Sequence, residues 1–143
     1  MTVSGTSHIF VLPPVPPAVA VCTPLPGLAL EVNAPANSVL LVSTFGGFQV
    51  NPQPPEPAPV GSTIDIKLRY NGVDAVVRRV SAYNVGNITV GYNGWSITQT
   101  LTVAGPRLIE VCAQFVQGSA AVVSSGAALP HIQGQLSVVI IKR

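Results

Sequence analysis

The sequence predicts an all-β protein: one β-sandwich preceded by an extended, proline-rich arm. Three observations lead there. From Gly61 onward apolar residues recur with a period of two, and no stretch keeps a helical period. Two Asn-Gly pairs, at 71-72 and 93-94, stand between alternating segments, where a two-residue hairpin turn needs positive φ. Twelve of the fourteen prolines fall in residues 1–60, while all seven Lys and Arg lie at or after Lys67. The chain therefore has two characters, an arm over residues 1–27 and a sandwich domain over 28–143.

The arm mixes Thr, Ser and Gly with Ile9-Phe10-Val11-Leu12 and with Pro13, Pro14, Pro16 and Pro17. Proline removes an N–H and clashes with a preceding helical turn, so this composition suits an extended path without internal hydrogen bonds. Leu28–Val32 and Ser38–Phe48 read as the first two strands, with Gly46-Gly47 as a strand end or bulge. The run NPQPPEPAP at 51–59 reads as a long stiff loop.

Thr63 to Tyr70 alternates strictly, with Ile64, Ile66, Leu68 and Tyr70 on one face and Asp65, Lys67 and Arg69 on the other. A type I′ turn at Asn71-Gly72 sets Tyr70 against Val73, Arg69 against Asp74 and Asp65 against Arg78. Opposite charges then meet twice, each pair adding roughly 0.2–1 kcal/mol. The same device around Asn93-Gly94 sets Tyr92 against Trp95 and Val90 against Ile97. Beyond it Trp95, Ile97, Leu101 and Val103 face inward, and Ser96, Thr98, Thr100 and Thr102 form a neutral outer stripe. Ala104-Gly105-Pro106 is expected to break the sheet before Arg107 to Val116 resumes it. Gln135 to Ile141 closes the domain, with Leu136, Val138 and Ile140 on one face and Ser137, Val139 and Ile141 on the other. A strand apolar on both faces is covered twice, so Val139 and Ile141 are expected in an oligomer interface. About eight strands with turns between them fit a jelly roll or an immunoglobulin-like sandwich.

Composition narrows function. Of 143 residues 48% are apolar and only 8% charged, with a net charge of +2, against about 25% charged in an ordinary soluble domain. So small a net charge drives neither nucleic-acid nor anionic-membrane binding. No run reaches the roughly 18 apolar residues of a spanning helix. Cys22 and Cys112 lack CxxC or His companions and read as two small apolar side chains; a disulfide pinning the N-terminal segment to the core is the alternative. His8 and His131 lie in unrelated contexts, so no metal or other cofactor is expected. The acids are Glu31, Glu56, Asp65, Asp74 and Glu110, with no nucleophile elbow or phosphate loop, so an enzyme is not expected. Tyr70, Tyr92 and Trp95 fall on apolar faces, leaving Tyr83 as the aromatic to test for saccharide binding.

Several segments resemble the small jelly-roll modules of tailed-phage virion proteins: Ala34-Pro35-Ala36-Asn37-Ser38-Val39-Leu40-Leu41-Val42, IDIKLRYNGV at 64–73, AGPRLIEVCAQ at 104–114 and GQLSVVIIKR at 134–143. The resemblance covers about residues 28–143. It implies a homotrimer on the outer surface of a capsid, a decoration or cement protein touching the major capsid protein and neighbouring trimers. His8, Ile9, Phe10, Val11, Leu12 and Val15 of the arm are then the expected partner-binding residues. The rival expectation is a fibre or receptor-binding module that recognises carbohydrate.

Overall fold

The computed structural model describes residues 1–50, 60–84, 92–124 and 130–143. Among them eight strands are formed: β1 (Thr2–Thr6), β2 (Phe10–Leu12), β3 (Thr23–Val50), β4 (Gly61–Tyr70), β5 (Val73–Tyr83), β6 (Tyr92–Gly118), β7 (Val122–Ser124) and β8 (Gln135–Lys142). Two 3₁₀ turns, Pro17–Val19 and Pro130–Ile132, complete the elements. The hydrogen-bonded order is β1-β8-β3-β6-β4-β5, with β7 joined to β3 and β2 to β7; every pairing is antiparallel.

Two long strands organise the fold. β3 and β6 run side by side from Thr23 opposite Ala113 to Gln49 opposite Tyr92. Ser38 to Phe45 of β3 also pairs with β8, and Ile109 to Gly118 of β6 pairs with β4. The change of neighbours falls where the register shifts between Ala34 and Ser38, with Asn37 at φ 61° and Gly105 at φ 83°. The two halves, β1-β8-β3-β6 and β3-β6-β4-β5, close on one core. Leu40, Val42, Leu136 and Val138 come from the first, and Ile64, Ile66, Leu68 and Val111 from the second. The protein is an all-β, jelly-roll-like sandwich, built from one continuous ladder.

That continuity corrects the local reading. Leu28–Val32 and Ser38–Phe48 are parts of a single strand, because the bulge at Ala34 to Ser38 carries the chain from one half to the other. Ala104-Gly105-Pro106 does not break the sheet: Gly105 lies opposite Ala34 and Pro106 opposite Asn33, the left-handed Gly105 supplying the bend. Asn93-Gly94 is not a turn. Neither residue has positive φ; Asn93 pairs with Phe48 and Gly94 with Gly47. The Val90–Ile97 pair expected from that turn, like the 51–59 loop, involves residues outside those described. Here tertiary pairing overrides turn propensity, and β3 is shaped for it: a Cβ on Gly46 would come within 2.3 Å of the Trp95 ring. Trp95 is in the core as expected, but Tyr92 is not, standing 68% exposed at the strand's start.

The Asn71-Gly72 turn forms as expected, at φ 49° and 79°, with Tyr70 opposite Val73 and Arg69 opposite Asp74. One residue further a bulge shifts the register so that Leu68 faces Val76. Asp65 therefore meets Arg79 rather than Arg78, accepting two hydrogen bonds from its guanidinium at 2.8 and 2.9 Å.

Residues 1–27 are extended, yet they lie along the chain's own body, and β3 runs through the expected boundary at 27/28. β1 pairs with β8 and β2 with β7. The cysteines are not free. Pairing of Thr23 with Ala113 brings Cys22 beside β6, and Cys22 bonds Cys112 with their Cα atoms 5.4 Å apart. The N-terminal segment is thus pinned covalently, the alternative left open by spacing alone.

Candidate assembly surface

Alternation along each strand sends every second side chain outward. On the β1-β8-β3-β6 half, pairing lines those side chains up in rows. Ile141, Val39 and Thr102 make one row; Thr2, Val139, Leu41 and Thr100 the next. Ser4, Ser137, Ser43 and Thr98 follow, then Thr6, Gln135, Phe45 and Ser96. Past Gly47 and Gly94 the face ends at Gln49 and Tyr92, whose ring meets that of His131 edge-on at 5.7 Å. The His131 Nε2 lies 3.3 Å from Gln49 Oε1.

None of these outward side chains belongs to a Lys, Arg, Asp or Glu. Val39, Leu41 and Val139 are half-buried, while Phe45 is 51% and Ile141 48% exposed. Four strands about 4.8 Å apart over some ten residues of about 3.3 Å give a face of roughly 600 Å² in plan. That whole face, hydroxyl and apolar side chains together, approaches the ~800 Å² each partner buries in a standard interface.

The outward face of the other half has the opposite character. Lys67 Nζ lies 2.7 Å from Asp74, Arg69 Nε 3.1 Å from the same carboxylate, and Arg69 NH1 3.6 Å from Glu110. Arg79 and Asp65 continue the series; the Asp65 carboxylate, by hydrogen bond and charge, pushes the Arg79 pKa further up. Tyr83 closes the row. Hydrogen bonds from Thr63 and Ser81 hold its phenol below the ordinary tyrosine range, and the two hydroxyls share a 2.8 Å bond of their own. Charge is thus segregated among the described residues: one face of the sandwich is laced with ion pairs and the other carries none.

The residues expected to bind a partner separate into groups. Ile9 is 60% and Val11 45% exposed, His8 is exposed, and Phe10 and Val15 are half-buried against the body. Leu12 is corrected: it is 6% exposed, opposite Val122, and belongs to this chain's own core. Val139 and Ile141 stand together on the uncharged face. The sequence reading missed Leu41, Phe45 and Tyr92. The outward stripe of Ser96 to Thr102 was the signal that points to them, since β3 lies beside it.

Among the described residues no three His, Cys, Asp or Glu side chains come together as a metal site, and no helix is long and apolar enough to cross a membrane. No protein-family model matches the chain, and no curated protein does. Among solved structures the chain is similar to Eiger TNF from S. frugiperda, at 11% identity over 85% of this chain and 90% of that one, with a TM-score of 0.33.

Proposed function

We propose that this chain is a non-catalytic structural protein that self-associates through the uncharged outer face of β1-β8-β3-β6, and that it decorates the outer surface of a capsid as a homotrimer. The observation that carries the reading is the segregation of charge. A sheet face on which Val39, Leu41, Val139 and Ile141 adjoin in two rows, with Phe45 beyond a row of Ser and Thr and no charge among them, suits burial against other copies, while the ion-paired face suits water. The virion setting and the number three come from the resemblance to phage jelly-roll modules. Exposed Ile9 and Val11, beside His8, are the arm residues left for the shell.

The test is the solution mass of the purified chain by light scattering. A particle of three times the 14.8 kDa chain mass is expected, and a monomer at high concentration overturns the reading. A second reading, a saccharide-binding fibre module, is favoured by one observation: Tyr92, 68% exposed, held edge-on by His131 next to Gln49. Glycan retention that is lost on Tyr92→Ala supports it.

A further inference from the structure

The Cys22–Cys112 bond sits at a mechanical junction. On one side is Cys112, fully buried on the outward face of β6 between Pro24 of β3 and Lys67 of β4. On the other is the stretch 13–22, where Val15 packs on the core and main-chain bonds to the body are few among the described residues. Its backbone bonds are the turns Val19 N–H to Pro16 O and Ala20 N–H to Pro17 O, and Gln114 Nε2 donates to Ala20 O at 3.2 Å. Pro14 to Pro17 border a groove with Phe115 and Gln117, and Val19 and Val21 are 65% and 71% exposed.

The start of β3 is equally thin in main-chain bonding. After Thr23 and Pro24 the ladder with β6 lapses until Ala29, and Pro24 and Pro26 have no N–H to give. Yet this stretch seats the N-terminal strand. His8 N–H donates to Pro26 O, and Gly27, at φ 85°, packs so closely on Thr6 that a Cβ there would lie 2.1 Å from its carbonyl oxygen. Ser7 completes the seat through Gly134, its N–H donating to Gly134 O at 2.9 Å and its Oγ accepting from Gly134 N–H at 2.6 Å.

We infer that the Cys22–Cys112 bond is a redox latch on the N-terminal segment: closed, it fixes the start of β3 and with it the seat of β1; open, it frees residues 1–22 while the β3–β8 body stays folded. Closing it removes two protons and two electrons from the two thiols and forms one S–S bond. The electrons pass to a low-molecular-weight disulfide, which leaves as two thiols. A dithiol reductant reverses the step and is itself oxidised. The latch is independent of the oligomer; its use in assembly rests on the reading of residues 1–27 as a contact arm. A closed chain presents the β1-β8-β3-β6 face together with Ile9 and Val11, and an open chain adds the rest of residues 1–22 and the β8 edge to what its neighbours can reach.

Hydrogen exchange read by mass spectrometry on the full chain, with and without dithiothreitol, tests this. Cys22→Ser provides the open state where the reductant fails to reach the bond. Amides of Thr2 to Thr6 and Phe10 to Leu12 are expected to exchange at least tenfold faster in the open state, with β4, β6 and the β3-facing side of β8 unchanged. Equal protection in both states overturns the latch, and so does loss of protection throughout, which would make the bond a staple of the core. Solution mass measured on the same samples separates this from the proposed function. A monomeric oxidised chain removes the assembly reading and leaves the latch standing.

Discussion

Tyr70 marks where burial meets titration. Its phenol is half-buried at the end of β4 with no hydrogen-bond partner among the described residues, and desolvation lifts its pKa above the ordinary tyrosine value. The raised group favours the folded state's neutral form, so its contribution is whole below about pH 10, the unfolded value, and is lost as pH rises through the folded value. The thermal midpoint of the native chain is expected to fall more steeply above about pH 10 than that of Tyr70→Phe, as circular dichroism melts will show. Gln99 is a second such residue. It sits opposite Val42, between Ile97 and Leu101, with its Oε1 buried and unpartnered among the described residues. Gln99→Leu removes an unsatisfied acceptor at similar volume and is expected to stabilise the fold by about 1 kcal/mol in denaturant titration.

The elements show which signals are local. β4 was legible because its partner on one side, β5, follows after two residues, so the Asn71-Gly72 turn and the alternating pattern point to the same register. The identical dipeptide at 93-94 failed because the true partner, β3, lies earlier in the chain and has its own glycines at the contact. The one-residue slip that gives Asp65 to Arg79 depends on a bulge with no signature in either strand. Leu12 and the cysteine pair were hidden for the same reason: both contacts cross about 90 residues or more, and spacing carries no record of them. At the seat of β1, Gly27 admits no side chain. Gly27→Ala is expected to cost at least about 1 kcal/mol, and hydrogen exchange of Thr2 to Thr6 will show the loss first. Deleting residues 2–20 is expected to lower the thermal midpoint through loss of Leu12 and the β1 pairing, leave the remaining sandwich folded, and abolish addition to shells in a sedimentation assay.

For the whole molecule, the scarcity of charge in the composition resolves into a direction. Among the described residues the ion pairs cluster on the outward face of β4, β5 and the C-terminal half of β6, and the opposite face has none. The sequence already carried half of this, in the Ser96 to Thr102 stripe and in Val139 with Ile141. That these belong to one surface required knowing that β3 lies between them. Leu41→Glu with Val139→Glu puts two like charges side by side in the proposed interface. The double variant is expected to elute as a folded monomer whose near-ultraviolet spectrum matches the native chain; an unchanged mass would place the contact elsewhere.

The two long strands have a bearing on synthesis. β3 is complete once residue 50 has left the ribosome, but its main partner is finished only at residue 118 and its other flank only at 142. During that interval the apolar side chains of this 28-residue strand lack most of their native partners. Folding is therefore expected to await nearly the whole chain and to proceed slowly, because its closing contacts are remote.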